Sequence, residues 1–117
     1  MKRITLALGV ALAALVATAS VAAAPTAAKA TTVNVTMKEF KFILSKKTVP
    51  HGKVTFKVVN KGTIGHDFAI GGKKTRLIGP GKTARVTVTF HKKGRFPYLC
   101  TVPGHAQAGM KGVFTVR

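Results

Sequence analysis

Lys53-Val-Thr-Phe-Lys-Val-Val59 alternates lysine or threonine with apolar residues. This is the period-two pattern of a strand with one face in a core and the other in water. Upstream, Thr32-Val-Asn-Val-Thr36 alternates strictly and Phe40-Lys-Phe-Ile-Leu44 follows it. Downstream, residues 66–70, about 75–78, Ala84-Arg-Val-Thr-Val-Thr-Phe90, residues 95–100 and Gly112-Val-Phe-Thr-Val116 carry the same β-branched and aromatic bias. Val49-Pro-His-Gly52, Ile78-Gly-Pro-Gly81 and His91-Lys-Lys-Gly94 break the pattern with turn residues. No sustained 3.6-residue apolar period, internal repeat or phosphate-cradling glycine motif interrupts this layout. The expectation is an all-β domain of seven or eight strands folded as a sandwich.

The first residues follow a different rule. Met1-Lys2-Arg3 precedes an uncharged run over 4–16 and then a series of alanines, the basic, apolar, small-residue order of a secretory signal. Val21-Ala-Ala23 and Ala28-Lys-Ala30 both fit the small-x-small cleavage pattern, whereas Pro25 disfavours a cut directly after Ala24. Residues 1–30 are therefore expected to be a signal peptide and short linker, cleaved between about 23 and 30, and residues 31–117 the mature domain. The destination is periplasmic or extracellular. The uncharged stretch 4–24 also matches the length of a bilayer-spanning helix, so a retained membrane tether is the second expectation. Cys100 is the only cysteine, which rules out both an intramolecular disulfide and a lipid-modified cysteine near the N-terminus.

Removing residues 1–30 leaves 17 basic residues against Glu39 and Asp67, a formal net charge of 17 − 2 = +15. Such a field draws in acidic proteins or an anionic membrane surface and makes association salt-dependent. Nucleic acid is a poor candidate partner. Export argues against it, and the basic residues are spread along the strands rather than gathered in one element.

The chemistry concentrates in Cys100-Thr-Val-Pro-Gly-His105-Ala-Gln-Ala-Gly-Met110, which leaves one expected strand and enters the last. A loop returning between two strands can turn Cys100, His105 and Met110 toward one centre. His66, at the start of an expected strand after a glycine-bearing turn, is the available fourth ligand. Taken singly, a lone cysteine is usually a small buried hydrophobe, and a methionine beside a strand is usually core. Taken together, two imidazoles and a thiolate with a weaker thioether form the donor set of a blue-copper electron-transfer site.

The whole of residues 31–117 resembles the cupredoxins, the superfamily of plastocyanin, azurin and auracyanin. The resemblance is carried by residues 60–68, by Gly79-Pro-Gly-Lys-Thr-Ala-Arg-Val-Thr-Val, and by Phe96-Pro-Tyr-Leu-Cys100 running on through Pro103-Gly-His105 to Gly109-Met-Lys-Gly. It implies a Greek-key β-sandwich holding one type 1 copper through His66, Cys100, His105 and Met110. The equal gaps between Cys100 and His105 and between His105 and Met110 are more similar to the auracyanin, rusticyanin and sulfocyanin pattern than to plastocyanin. His105 is then expected nearest the surface, edged by Ile64, Gly65, Pro103 and Gly104, with Cys100 deeper. Phe96 and Tyr98 precede Cys100 at strand alternation, so core packing of one or both, rather than electron relay, is expected. Asp67 departs from the resemblance, since many cupredoxins place asparagine or serine after the first histidine. As a carboxylate it would accept a hydrogen bond from the ligand loop, with Thr101 the donor by family analogy, while its other reading is a surface aspartate among lysines.

The implied activity is the shuttling of single electrons by a monomer between transient redox partners, with an acidic docking face on the partner. The alternative is an exported copper-binding or copper-delivery protein using the same ligands. Enzymatic copper oxidation or nitrite reduction would need a second metal site. Only His51 and His91 remain, without a His-x-His pair, so no enzyme is expected.

Overall fold

The computed structural model describes residues 2–3, 5, 7, 9–18 and 30–117. Of the expected cleavage window, residues 23–29 lie outside the described residues. Val10, Leu12, Leu15 and Val16 are exposed and contribute nothing to the core. No helix among the described residues is long and apolar enough to cross a membrane.

The alternation seen in the sequence becomes two packed sheets. Strand β1 (Thr31–Lys38) buries Val33, Val35 and Met37 and leaves Thr32, Asn34 and Lys38 in solvent. Strand β4 (Gly52–Asn60) buries Val54, Phe56, Val58 and Asn60 on alternate positions. With β2 (Lys41–Leu44) and β7 (Thr83–Phe90) they form one sheet in the order β2-β1-β4-β7. The second sheet takes β3 (Thr48–Val49), β5 (Ala69–Ile70), β6 (Lys73–Lys74), β8 (Gly94–Leu99) and β9 (Lys111–Val116) in the order β3-β9-β8-β5-β6. β1 runs parallel to β4 and β3 parallel to β9; the other pairs are antiparallel.

The fold is the expected all-β sandwich, with no helix among the described residues. Its strands number nine among the described residues, because Thr48–Val49 adds a two-residue pairing with β9. The strand expected over 66–70 is reduced to Ala69–Ile70, and His66 makes only an isolated bridge with Ile78. The strand expected at 75–78 is replaced by Lys73–Lys74, because Gly71 and Gly72, with φ of 59° and 76°, make a two-residue hairpin turn just before it. Thr75 then turns inward, its hydroxyl accepting the Phe68 amide and donating to the Arg76 carbonyl.

Phe56 centres the interior. Its ring lies 5.2 Å from that of Phe68 and 5.3 Å from that of Phe114, bridging the two sheets. Tyr98 is buried as expected, and Phe96 is partly buried against the same cluster. Strand direction gives the sandwich two poles. β1, β4 and β8 end, and β7 and β9 begin, at one pole, where the loops carrying His66, Cys100 and His105 gather. Gly52, Phe90 and Gly94 lie at the other.

Candidate metal centre

Asn60, the fully buried last residue of β4, shapes the loop that carries His66. Its amide nitrogen donates to the carbonyls of Ile64 and Ile78, each at 2.8 Å, and its oxygen accepts the Gly62 amide at 2.8 Å. The His66 backbone then exchanges hydrogen bonds with Ile78 in both directions, at 3.2 and 2.7 Å. This places a histidine with no exposed surface at the pole of the sandwich.

Cys100 follows β8 directly and is also buried. Its amide donates to the Met110 carbonyl at 3.0 Å, closing the base of the loop just beyond the β8–β9 ladder. Inside the loop the His105 amide donates to Val102, and the Met110 amide donates to the His105 carbonyl. Gly104 and Gly109, with φ of 84° and 123°, adopt the backbone conformation such a tight return requires. The Met110 side chain is completely buried.

One ligand atom from each of His66, Cys100 and His105 lies within 4.8 Å of the others. His66 Nδ1 and His105 Nδ1 face one another at 3.0 Å, and Cys100 Sγ lies 3.6 Å from His105 Nδ1. A thiol and two imidazoles aimed at one point, half-shielded from water, fit a soft-to-borderline ion such as copper. Burial pushes the Cys100 thiol up from its ordinary value, so ligation there displaces a proton. The remaining histidines are elsewhere: His51 is exposed just before β4, within 3.4 Å of the Arg117 carbonyl, and His91 is exposed just after β7.

Asp67 is buried rather than a surface residue. One of its oxygens accepts the Thr101 amide at 2.6 Å and the other accepts the Thr101 hydroxyl. It thereby ties the residue after His66 to the residue after Cys100.

Three neighbours of the site went unassigned in the sequence. Asn60 is one. The others, Glu39 and Phe40, form the turn between β1 and β2. Glu39 Oε1 lies 3.0 Å from His66 Nε2 and accepts the amides of Thr63 at 2.7 Å and Ile64 at 3.1 Å. Desolvation alone would raise this carboxyl, but hydrogen bonds from Thr63, His66 and Ile64 outweigh it and hold the pKa at about 2. The Phe40 ring stands edge-on to His105, with centroids 5.0 Å apart. The available signal was compositional: Glu39 is one of only two acidic residues in a strongly basic chain, and it sits beside an aromatic residue between two alternating segments.

The family described as a cupredoxin-like domain matches residues 9–116. The copper-resistant cuproprotein CopI of Vibrio cholerae is 31% identical over 111 residues, covering 74% of this chain and 66% of the relative. CopI of Pseudomonas aeruginosa is 51% identical over 41 residues, covering 35% of this chain and 23% of the relative. The chain thus spans less than two thirds of the length of these curated relatives. Among solved structures, dithionite-reduced auracyanin from the photosynthetic bacterium Roseiflexus castenholzii superposes with a TM-score of 0.66 at 28% identity, covering 77% of this chain and 99% of that one.

Proposed function

The chain belongs to the cupredoxin-like domain family and its cofactor is copper; from that premise we propose that it is an exported type 1 copper protein that passes single electrons between partners. The observation that carries the reading is the convergence of His66 from one loop, and of Cys100 and His105 from another, onto one point. In this proposal His66 Nδ1, Cys100 Sγ and His105 Nδ1 hold the ion, and Met110 is a weaker fourth donor. Bound copper supplies a one-electron couple between Cu(II) and Cu(I).

The chain's own contribution is rigidity. Asn60, Asp67 and the loop's backbone hydrogen bonds hold the donors in place before any ion arrives, which limits rearrangement when its charge changes. His105 is partly exposed, with Phe40 against it, and Ile64 and Leu77 are exposed on the neighbouring segments. This apolar surface is the proposed transfer face. A redox partner with an acidic surface would be drawn to it by the surrounding charge and released quickly, with no substrate bond broken.

The copper-loaded, oxidised protein is expected to show an intense thiolate-to-copper charge-transfer band in the visible spectrum, which Cys100→Ser abolishes. A colourless Cu(II) form of the wild type would overturn the proposal. A second reading, copper binding or delivery at the same site, is favoured by the copper-resistance cuproproteins among the relatives. Reversible voltammetry with rapid self-exchange supports the carrier. Slow exchange with ready release of Cu(I) to a chelating acceptor supports delivery.

A further inference from the structure

Both acidic residues of this chain are committed to the metal centre. Asp67 holds the cysteine loop through Thr101, and Glu39 reaches the buried ring of His66. Glu39 arrives from a third direction, the β1–β2 turn, and is 27% exposed. Its environment is built to receive a carboxylate. One oxygen takes the Thr63 and Ile64 amides together with His66 Nε2, and Gly62 leaves the space it occupies, since a Cβ at position 62 would collide with the carboxylate.

The geometry has a consequence for the imidazole. A carboxylate oxygen only accepts, so the proton of a neutral His66 ring resides on Nε2. The lone pair is then left on Nδ1, the atom that faces His105 and Cys100. We propose that Glu39 is a positioning residue for copper, fixing the orientation and tautomer of His66 so that Nδ1 is the donor and placing a negative charge against the ligand. This inference rests on the ligand set proposed above. A carboxylate behind a ligating histidine raises the basicity of the ring and stabilises the more highly charged ion.

The test compares wild type, Glu39→Gln and Glu39→Ala in three measurements. The ring nitrogens of His66 in the metal-free protein are read by long-range ¹H–¹⁵N NMR, Cu(I) affinity by competition with a chromophoric chelator, and the reduction potential by voltammetry. The wild type is expected to hold its proton on Nε2. Glu39→Gln keeps an acceptor oxygen, so it is expected to keep that tautomer and bind Cu(I) within a few-fold of wild type, while its potential shifts upward through loss of the charge. Glu39→Ala is expected to mix the two tautomers and weaken Cu(I) binding about 10- to 100-fold, the usual cost of losing such a partner.

A wild-type ring protonated on Nδ1, or an alanine variant with unchanged tautomer and affinity, overturns the assignment. So does a glutamine variant with an unchanged potential, because a merely structural tie would leave the potential alone. If instead the wild type shows no charge-transfer band, the proposed function fails. The metal-free tautomer still decides whether Glu39 orients His66.

Discussion

Asn60 has both ends of its side-chain amide committed, to two carbonyls and one backbone NH, and so converts a strand end into a fixed loop. Cys100 is buried at the base of the neighbouring loop and carries a titrating group. Its thiol sits above the ordinary value of 9.0 chiefly because burial penalises the thiolate, so in the metal-free protein the folded state keeps its proton to higher pH than the unfolded chain does. Above the unfolded value the unfolded state binds fewer protons than the folded one, and stability falls as pH rises. The decline begins near pH 9 and is at most about 1.4 kcal/mol per pH unit for one proton. Urea unfolding of the metal-free protein from pH 7 to 10.5 is expected to show this loss in wild type and a shallower one in Cys100→Ser. Parallel curves for the two proteins would mean that Cys100 does not titrate differently on folding.

At the scale of elements, the ligand loop depends on the β8–β9 ladder that delivers Cys100 and receives Met110. Tyr98 lies directly opposite Gly112 in that ladder, and its ring covers the glycine so closely that a Cβ there would overlap the phenol. The overlap involves the ring itself, which is buried and packed against Phe42 and Phe68. Gly112→Ala is therefore expected to cost about 1–3 kcal/mol, the range for overpacking a filled site, read as a lower urea midpoint. An unchanged midpoint would mean that the ring has room to move. This contact was invisible in the sequence because it depends on cross-strand register, which alternation alone does not set. The long strands were legible because β1, β4 and β7 each bury one face and wet the other, so their side chains report the period directly. The Ala69–Ile70 and Lys73–Lys74 hairpin was not, since two-residue strands carry no period and only the Gly71-Gly72 turn marks them. The candidate ligands were legible through their order and spacing. Glu39 was not, because its partner lies 27 residues away on another loop and meets it only because β1 and β4 pair in parallel and end side by side.

For the molecule as a whole the charge is nearly all of one sign, and its distribution along the poles gives a test of how a partner is met. Lys38 and Lys41 flank the Glu39–Phe40 turn, Lys61 begins the His66 loop and Lys111 follows Met110, so these four lie at the pole of the metal centre. Lys53, Lys92 and Lys93 lie at the opposite pole, beside Gly52, Phe90 and Gly94. The field of the whole domain reaches a Debye length of about 30 Å at 0.01 M salt but only about 8 Å at physiological ionic strength. Bimolecular electron transfer with an acidic cytochrome is therefore expected to slow at least about tenfold between those conditions, within the range known for steered association. Reversing two charges at each pole separates local docking from the net field. Lys38→Glu with Lys41→Glu and Lys92→Glu with Lys93→Glu change the net charge equally, yet only the first pair alters the surface beside His105 and Phe40. Stopped-flow rates at low salt are expected to fall several-fold more for the first pair than for the second. Equal losses would make the net charge alone responsible, and a rate indifferent to salt would remove electrostatic steering from the proposed function.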